Sequence, residues 1–210
     1  MRSAIVFDLD GTLVDSLPDI VASFLAAFDG RSVEKPTRAA VEAAIGEPLE
    51  KMYAAFAPRH EIEALSAYYR SHYRENFRTN SRPFPGVPDL LDELGERGFL
   101  RVVATTKRTD LARAFVEAMG LSKHLDHVQG TDDFPAKPAP DVVHRAIAAV
   151  GGRGTWMVGD TVHDIEAGRA AGLQTYAVTW GTHTRERLAA LEPDVLAPDL
   201  TNLVAHVATA

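Results

Sequence analysis

The chain opens with a short apolar run, residues 4–7, which ends abruptly in the sequence Asp-Leu-Asp-Gly-Thr at 8–12. An uninterrupted apolar run of this kind is typical of a strand buried on both faces, as in a parallel sheet. Side chains two positions apart on a strand point the same way, about 6–7 Å apart, so Asp8 and Asp10 would share one face. Turn chemistry explains Asp10 before Gly11, but it does not explain an acid at Asp8. Because two neighbouring carboxylates repel unless a cation or a shared proton relieves them, this stretch indicates chemistry.

Residues 15–80 show the spacing of helices rather than of strands, and no strand is predicted there. In the first helix Ser16 is the expected N-cap, Pro18 lies at an early position and Gly30 follows the end. The helices are predicted over 17–28, 36–45, 49–56 and 61–77. Residues 82–88 then place three prolines in a stiff connector.

Strands and helices alternate beyond this connector. The predicted strands are 100–104, 127–129, 155–158 and 175–178, and the predicted helices are 89–96, 109–119, 138–150 and 162–171. This alternation predicts an α/β fold, a Rossmann-like parallel sheet flanked by helices, to which the first strand belongs. Residues 1–14 plus 82–210 would form this α/β domain, and residues 15–81 would form a helical domain inserted after the first strand.

Composition narrows the classes of function. The 210 residues are 46% hydrophobic and carry a net charge of −7, without a basic stripe, so nucleic acid is not an expected partner. The absence of cysteine excludes disulfides and thiolate chemistry. No signal-peptide pattern opens the chain, and no apolar stretch reaches the roughly 18–20 residues that cross a bilayer. We therefore expect a soluble, cytoplasmic protein without a membrane partner.

Polar side chains follow each of the main predicted strands. They are Asp8 and Asp10, then Thr105, Thr106 and Lys107, then Asp160 and Asp164, with Lys137 just before a helix. In open parallel sheets ligands bind outside the carboxyl ends of the strands, so these groups should converge. Several carboxylates without cysteine suit Mg²⁺, while hydroxyls, lysine and backbone N–H groups suit phosphate. The set predicts a phosphoryl-transfer site, in which an aspartate can be the nucleophile.

Four motifs in this order resemble those of the haloacid dehalogenase superfamily. They are the segment 8–16, Thr105, the Lys-Pro-Ala-Pro segment 137–140 and the Gly-Asp-Thr-Val-His-Asp segment 159–164. The resemblance spans residues 1 to about 180 and is greatest to the phosphoglycolate-phosphatase-like branch, whose members carry a helical cap after the first strand. It implies a phosphatase that hydrolyses a small phosphorylated metabolite, acting as a monomer or homodimer.

The resemblance also implies a role for each catalytic residue. Asp8 would be the nucleophile, and Asp10 would be the acid for the leaving oxygen and then the base for water. Thr105 would bind a phosphoryl oxygen, and Lys137 would bridge the phosphate and the nucleophile. Mg²⁺ would be held by the Asp8 and Asp160 carboxylates and the Asp10 carbonyl, while Asp164 would act through metal-bound water.

The expected substrate-binding residues are Thr105, Thr106, Lys107, Lys137, Gly46 and Glu47. Gly46 and Glu47 belong to a break between helices that resembles the loop which related phosphatases lower onto substrate. The middle residue of that loop is often apolar, so Glu47 departs from the pattern. One hypothesis is that Glu47 disfavours substrates with a second negative group; the alternative is a plain helix break. The alternative for Lys107 is a solvated side chain, which is usual for a basic residue that leads into a helix.

Several residues have a simple structural interpretation. Arg70, Arg74 and Arg78 recur on one helix face, where an exposed basic surface is favoured over a substrate-binding stripe. The adjoining aromatic face (Tyr69, Tyr73 and Phe77) should be packed. His163 and His183 are expected to be solvated.

Two rival functions remain open at this stage. A phosphomutase of the same fold would keep its phosphoryl group until a sugar phosphate rebinds. A binding or assembly protein that retained the fold would be catalytically idle. The Asp-Gly-Thr-Leu sequence at 10–13 resembles the phosphatases more than the mutases, and the intact catalytic positions argue against an idle protein.

Overall fold

A parallel sheet of six strands organises the computed structural model, which describes residues 1–207. The strands are β1 (Ser3–Phe7), β2 (Val14–Asp15), β3 (Arg82–Pro83), β4 (Leu100–Ala104), β5 (His127–Gln129), β6 (Arg153–Gly159), β7 (Gln174–Val178) and β8 (Val195–Ala197). The main sheet has the order β5-β4-β1-β6-β7-β8, and β2 pairs with β3 separately. The predicted α/β class is confirmed; the last three residues of the predicted segment 82–210 lie outside the described residues.

Helices cover the sheet and fill the insertion between β2 and β3. They are α1 (Leu17–Ala26), α2 (Arg38–Ala44), α3 (Leu49–Ala54), α4 (Ile62–Asn76), α5 (Val87–Glu96), α6 (Thr109–Ala118), α7 (Asp141–Ala149), α8 (Val162–Ala170), α9 (Arg185–Ala189) and α10 (Leu203–Val207). The prediction for α7 began too early, because the proline-rich segment before it forms turns. Within the described residues, no helix has the length and apolar character needed to span a membrane.

Strand β1 lies at the centre of the sheet because its residues are apolar and it has a partner on each side. Residues 4–7 are fully buried. Phe7 is in register with Val103 of β4 and with Val158 of β6. These three strands therefore end at the same level, which brings the polar residues after each of them to one edge of the sheet.

The inserted helices are called here the helical segment (residues 15–81). The chain crosses between this segment and the sheet twice, at β2 and at β3, and these two crossings pair with each other. Val14 is in register with Pro83, and Asp15 with Arg82, in an antiparallel pair. The prediction that residues 15–80 contain no strand missed Asp15, the second residue of β2. A strand of two residues has too short a pattern to be recognised, and only its partner 67 positions later defines it.

Asp19 ties the same two crossings together from within α1. Its carboxylate accepts hydrogen bonds from the backbone N–H and side-chain amide of Asn80 and from the backbone N–H and hydroxyl of Ser81. Burial alone would raise the pKa of Asp19, but these bonds hold it below its usual value. A buried aspartate without a basic partner is thus stabilised entirely by the chain that leaves the helical segment.

Candidate active site

Lys137 connects the ends of three elements. Its ammonium group donates to Asp8 Oδ1 at 2.6 Å, to Asp164 Oδ1 at 2.6 Å and to the Ala104 carbonyl oxygen at 3.0 Å. Asp8 follows β1, Ala104 ends β4 and Asp164 lies in the first turn of α8. Burial alone would lower the pKa of Lys137, but the two carboxylates hold it above its ordinary range. The buried ammonium group therefore remains a cation.

Asp8, Asp160 and Asp164 form a buried group of carboxylates, called here the acid cluster. One oxygen atom of each lies within 4.8 Å of those of the other two. Burial raises the pKa of Asp8 well above its usual value, with Lys137 opposing the shift and Asp164 adding to it. Burial, followed by repulsion from Asp164, raises the pKa of Asp160 to about 6. One lysine cannot balance three carboxylates, and the ligands are all hard oxygen atoms, so the acid cluster fits Mg²⁺.

Asp160 is fixed from two sides by the turn after β1 and the loop after β7. Thr12 Oγ1 donates to its Oδ1 at 2.8 Å, and the Thr182 backbone N–H donates to its Oδ2 at 2.7 Å. A Cβ atom on Gly11 or Gly181 would overlap this carboxylate. Gly11 also has a φ of 83°, which favours glycine. Both loops therefore need glycine where they approach Asp160.

Asp164 has both carboxylate oxygens occupied by protein donors. Its Oδ2 accepts from the backbone N–H of Thr161 at 3.0 Å and from the Thr161 hydroxyl at 2.6 Å, while Oδ1 accepts from Lys137. Thr161 is the N-cap of α8, where the helix favours an acid in the first turn. This geometry is compatible with the expectation that Asp164 acts through metal-bound water, which stays a prediction.

Asp10 lies apart from the acid cluster and has partners of its own. Ser16 Oγ donates to its Oδ1 at 2.6 Å, and Lys107 Nζ lies 3.0 Å from its Oδ2. Ser16 occupies the predicted N-cap position of α1, but its side chain makes no capping bond. A hydrogen bond to a carboxylate is stronger than one to a backbone N–H, which explains why the hydroxyl turns to Asp10.

Thr105 and Thr106 follow β4 at the edge of the sheet where Asp8 lies. The Thr105 hydroxyl accepts from the backbone N–H of Lys107 at 3.2 Å, and the Thr105 backbone N–H donates to the Gln129 carbonyl at 3.1 Å. These bonds fix the loop after β4.

A cavity of about 490 Å³ lies between the carboxyl ends of the strands and the helical segment. All of the predicted catalytic and substrate-binding residues line it, namely Asp8, Asp10, Gly46, Glu47, Thr105, Thr106, Lys107 and Lys137. Asp160 and Asp164 are buried beside Asp8 and do not line it. The structure thus brings together residues that are up to 156 positions apart in the sequence.

The arginines of α4 lie at the rim of this cavity and on the surface beyond it. Arg70 pairs with Glu50, and Arg74 lies 2.8 Å from Asp110 of α6, so the second pair spans the rim. Arg70 and Arg74 line the cavity, whereas Arg78 does not. The predicted exposed basic face and the packed aromatic face beside it are both confirmed.

Comparison with known proteins decides the family. A family model described as haloacid dehalogenase-like hydrolase matches residues 5–178. The chain belongs to the haloacid dehalogenase-like hydrolases. The matched range contains β1 at its start and β7 at its end, and so it includes the acid cluster, Asp10, Lys107 and Lys137.

Relatives within this family are phosphatases by name. The chain is 38% identical to the "Probable phosphatase IndB" of Dickeya dadantii, over 97% of this chain and 93% of the relative. It is 31% identical to the pyrophosphatase PpaX of Halalkalibacterium halodurans, over 96% of both chains. It is 30% identical to a phosphoglycolate phosphatase of Mesorhizobium japonicum, over 99% of this chain and 95% of the relative. The predicted enzyme class is confirmed, since the chain falls in the phosphatase branch of the haloacid dehalogenase-like hydrolases.

A solved structure supports the same fold. A haloacid dehalogenase-like hydrolase from Streptococcus pneumoniae has a TM-score of 0.89 and 30% identity, with 98% of each chain covered. The helical segment is included in this match, since only 2% of the chain is left out. The haloacid dehalogenase-like architecture therefore extends over the insertion as well as the sheet.

Two histidines that the sequence placed at the surface of this hydrolase are not solvated: His183 is buried, and His163 is largely covered. The His163 side chain is 12% exposed, and His183 is 4% exposed. The Val162 backbone N–H donates to His183 Nδ1 at 3.0 Å, so His183 binds a backbone donor in the first turn of α8. Burial lowers the pKa of His183 to about 4, which keeps the ring neutral. The predictions were wrong because the segment after β7 folds back over α8.

Glu47 lies where the helical segment meets α8. Its carboxylate is 2.8 Å from Lys51 and 3.4 Å from His163 Nε2. Burial alone would raise the pKa of Glu47, but Lys51 and then His163 hold it below its usual value. Gly46 packs on Thr161, where a Cβ atom would lie 3.3 Å from the Thr161 methyl group. Glu47 is therefore an ionised group at the cavity wall whose charge is partly balanced.

Proposed function

We propose that this protein is a Mg²⁺-dependent phosphatase that hydrolyses a small phosphomonoester through an aspartyl-phosphate on Asp8. The proposal rests above all on the surroundings of Asp8, whose Oδ1 is held by Lys137 at the floor of the cavity. A second acid, Asp10, faces the same cavity from the same strand end. One carboxylate is thus placed to attack phosphorus, and another is placed to transfer a proton.

The reaction has two steps. In the first, Asp8 forms a bond to phosphorus while the bond from phosphorus to the leaving oxygen breaks, and Asp10 gives that oxygen its proton. In the second, water attacks phosphorus, the bond to Asp8 breaks, and the ionised Asp10 takes the proton from water. Lys137 and the Thr105 hydroxyl offset the charge on the phosphoryl oxygens in both steps. Phosphate and an alcohol leave, and both carboxyl groups return to their starting state.

The acid cluster would hold the cation through the Asp8 and Asp160 carboxylates, with the Asp10 carbonyl as a further ligand and Asp164 in contact through water. When bound, Mg²⁺ supplies positive charge that offsets the phosphoryl oxygens and the acid cluster. We further propose that the helical segment (15–81) is a cap domain on a core of residues 1–14 plus 82–210. Closure of this cap at its two paired crossings would exclude water from the cavity during transfer.

The two rival functions differ from this one in testable ways. A phosphomutase needs a second phosphate to rebind before water reacts, whereas a phosphatase releases inorganic phosphate with each alcohol formed. A binding protein would release neither. The relatives' names favour a phosphatase over a mutase, and Asp10, whose acid can protonate an alkoxide leaving group, argues against an idle binding protein.

Turnover of p-nitrophenyl phosphate should depend on Mg²⁺ and disappear in excess EDTA. The cation should also stabilise the fold, by about 2.7 kcal/mol at one hundred times its dissociation constant. Because the raised pKa of Asp160 is about 6, ionisation of this group destabilises the metal-free fold as the pH rises through that value. The rise in melting temperature on adding MgCl₂ should therefore be larger at pH 7.5 than at pH 5, as measured by differential scanning fluorimetry.

A melting temperature that does not respond to Mg²⁺ at either pH would contradict the metal site, whatever the activity. Release of p-nitrophenol that is undiminished in EDTA would contradict the metal dependence. Titration calorimetry with MgCl₂ on the substrate-free protein gives a binding measurement that is independent of turnover.

The substrate is proposed to be a small phosphorylated metabolite. Two relatives are named for pyrophosphate and phosphoglycolate, both of which carry a second anionic group. Here Glu47 adds a carboxylate to the cavity wall, and Lys51 balances only part of its charge. We propose that Glu47 disfavours substrates with a second anionic group. Phosphomonoesters of uncharged alcohols should therefore react faster than phosphoglycolate.

Glu47→Gln should raise kcat/KM for phosphoglycolate relative to ethyl phosphate by about 3–10-fold, because one nearby like charge is removed. The comparison is made across a panel of neutral and anionic phosphomonoesters. Glu42→Gln is the matched control, since it removes a carboxylate from α2 that pairs with Arg38 and does not line the cavity. An unchanged order of substrates in Glu47→Gln would refute the role of Glu47.

The remaining sequence-based expectations enter the proposal unchanged. The reaction is placed in the cytoplasm, with a monomer or homodimer as the active form and without nucleic acid or membrane as a partner. Size-exclusion chromatography with light scattering distinguishes the two forms.

A further inference from the structure

Lys107 is a buried cation that the two reaction steps do not use. Its side chain is 8% exposed, although the sequence indicated either a substrate ligand or a solvated group. The ammonium group lies 3.0 Å from Asp10 Oδ2 and donates to the Tyr73 hydroxyl at 3.2 Å. It also lies 4.4 Å from the centre of the Tyr73 ring and 5.1 Å from that of Phe115. Asp10 is thus its one anionic partner among the ion pairs of residues 1–207.

The two oxygens of Asp10 are held by donors from different parts of the chain. Ser16, at the start of the helical segment, holds Oδ1, and Lys107, after β4, holds Oδ2. A carboxyl group that is fixed at both oxygens cannot rotate freely, so its position toward a leaving oxygen in the cavity is set. Proton transfer requires such placement, because the proton must be within hydrogen-bond reach.

The site therefore contains two lysines with separate duties. Lys137 contacts Asp8 and Asp164 of the acid cluster, whereas Lys107 contacts Asp10. Lys107 also contacts the helical segment, because its hydrogen-bond partner Tyr73 belongs to α4, where it is fully buried. Displacement of α4 from the sheet would remove the Tyr73 hydroxyl and ring from Lys107 and leave Asp10 and the Phe115 ring of α6 as its remaining partners.

We propose that Lys107 is a positioning residue that fixes the Asp10 carboxyl for proton transfer, and that Tyr73 makes this placement depend on contact between the helical segment and the core. The inference rests on the proposed function, since it takes Asp10 as the group that protonates the leaving oxygen. It replaces the expectation that Lys107 binds substrate directly. Proton transfer then becomes efficient only while the helical segment covers the cavity.

The test compares leaving groups of similar shape. A poor leaving group such as phenolate needs a proton from Asp10, whereas p-nitrophenolate leaves with little help. In Lys107→Met we expect kcat/KM to fall about 10–100-fold for phenyl phosphate and about threefold or less for p-nitrophenyl phosphate. The loss for phenyl phosphate is part of the roughly 10²–10⁴-fold rate enhancement that a general acid contributes. Lys107→Arg should restore most of the loss. Tyr73→Phe, which keeps the ring, should show a smaller loss with the same selectivity.

Equal losses for both substrates in Lys107→Met would overturn the inference, because a phosphate-binding or purely structural lysine does not distinguish leaving groups. Asp10→Asn is the reference: if its losses are also equal, Asp10 is not the acid for the leaving oxygen and the inference fails with that role, whereas the proposed function stands or falls with the nucleophile Asp8, which Asp8→Asn tests. Lys123→Met, at an exposed lysine outside the cavity, is the matched control. Should Lys107→Met not fold, Lys107→Gln removes the charge and keeps a donor, so we expect a smaller loss that still falls mainly on phenyl phosphate; equal losses for the two substrates would overturn the inference there as well.

Discussion

Replacing Asp8 with asparagine should lower kcat for p-nitrophenyl phosphate by at least about 10³-fold, because an amide oxygen is too weak a nucleophile to form the aspartyl-phosphate. The same change should raise the melting temperature in EDTA. Burial raises the pKa of Asp8 well above its usual value, so the ionised group destabilises the metal-free fold, and a neutral isostere removes that penalty. Steady-state assays and thermal melts on one preparation measure both effects.

Measuring activity and melting temperature together distinguishes loss of the nucleophile from loss of the folded structure. Asp29→Asn, at an exposed aspartate that pairs with Lys35, is the matched control and should change neither quantity. Retention of full activity in Asp8→Asn would exclude the covalent intermediate. A lower melting temperature in EDTA would mean that the Asp8 charge stabilises the fold, contrary to its burial among like charges.

Replacing Lys137 with methionine should produce the second large effect, on stability as well as on rate. The side chain is 3% exposed and bonded to two carboxylates, and removing one partner of a buried ion pair costs about 3–5 kcal/mol. The loss of a donor to the phosphoryl oxygens should lower kcat/KM by about 10²–10³-fold. Because the folded-state pKa of Lys137 is raised, the stabilisation due to its own charge is complete below its ordinary pKa and is lost as the pH rises above that value.

Urea unfolding in EDTA measures the loss for Lys137→Met, and the double variant with Asp8→Asn tests its cause. If uncompensated charge is the cause, Asp8→Asn should stabilise the Lys137→Met variant by more than it stabilises the unmodified protein. Equal gains in the two backgrounds would contradict this explanation. The stability deficit should also narrow in Mg²⁺, because the cation takes over part of the charge balance.

The parts of the site that follow strand ends could be predicted from the sequence. Asp8, Thr105 and Asp160 each come directly after an apolar run, and parallel strands in register bring their ends to one edge. The bounds predicted for β4 and β5 agree with the structure. These elements can be predicted because their hydrophobic pattern depends only on residues that are close together in the sequence.

The residues that the sequence did not place correctly depend on contacts between distant segments. In the sequence, Lys107 is indistinguishable from a solvated lysine that precedes a helix. Only the packing of α4 buries its side chain against Tyr73 and Asp10. His183 looks like a loop residue until the chain folds back over α8. Strand β8 and helices α9 and α10 were missed because three to five residues carry too little periodicity to predict an element.

The pairing of β2 with β3 also bears on how such a protein can vary. Since Val14 and Asp15 lie beside Pro83 and Arg82, the chain leaves the sheet and returns to it at one point. Helices between these two crossings can be lengthened, shortened or exchanged without moving the strand ends that carry Asp8 and Asp160. A lineage could therefore change the molecule it dephosphorylates by editing the insertion, while the machinery that breaks the phosphate bond is inherited intact.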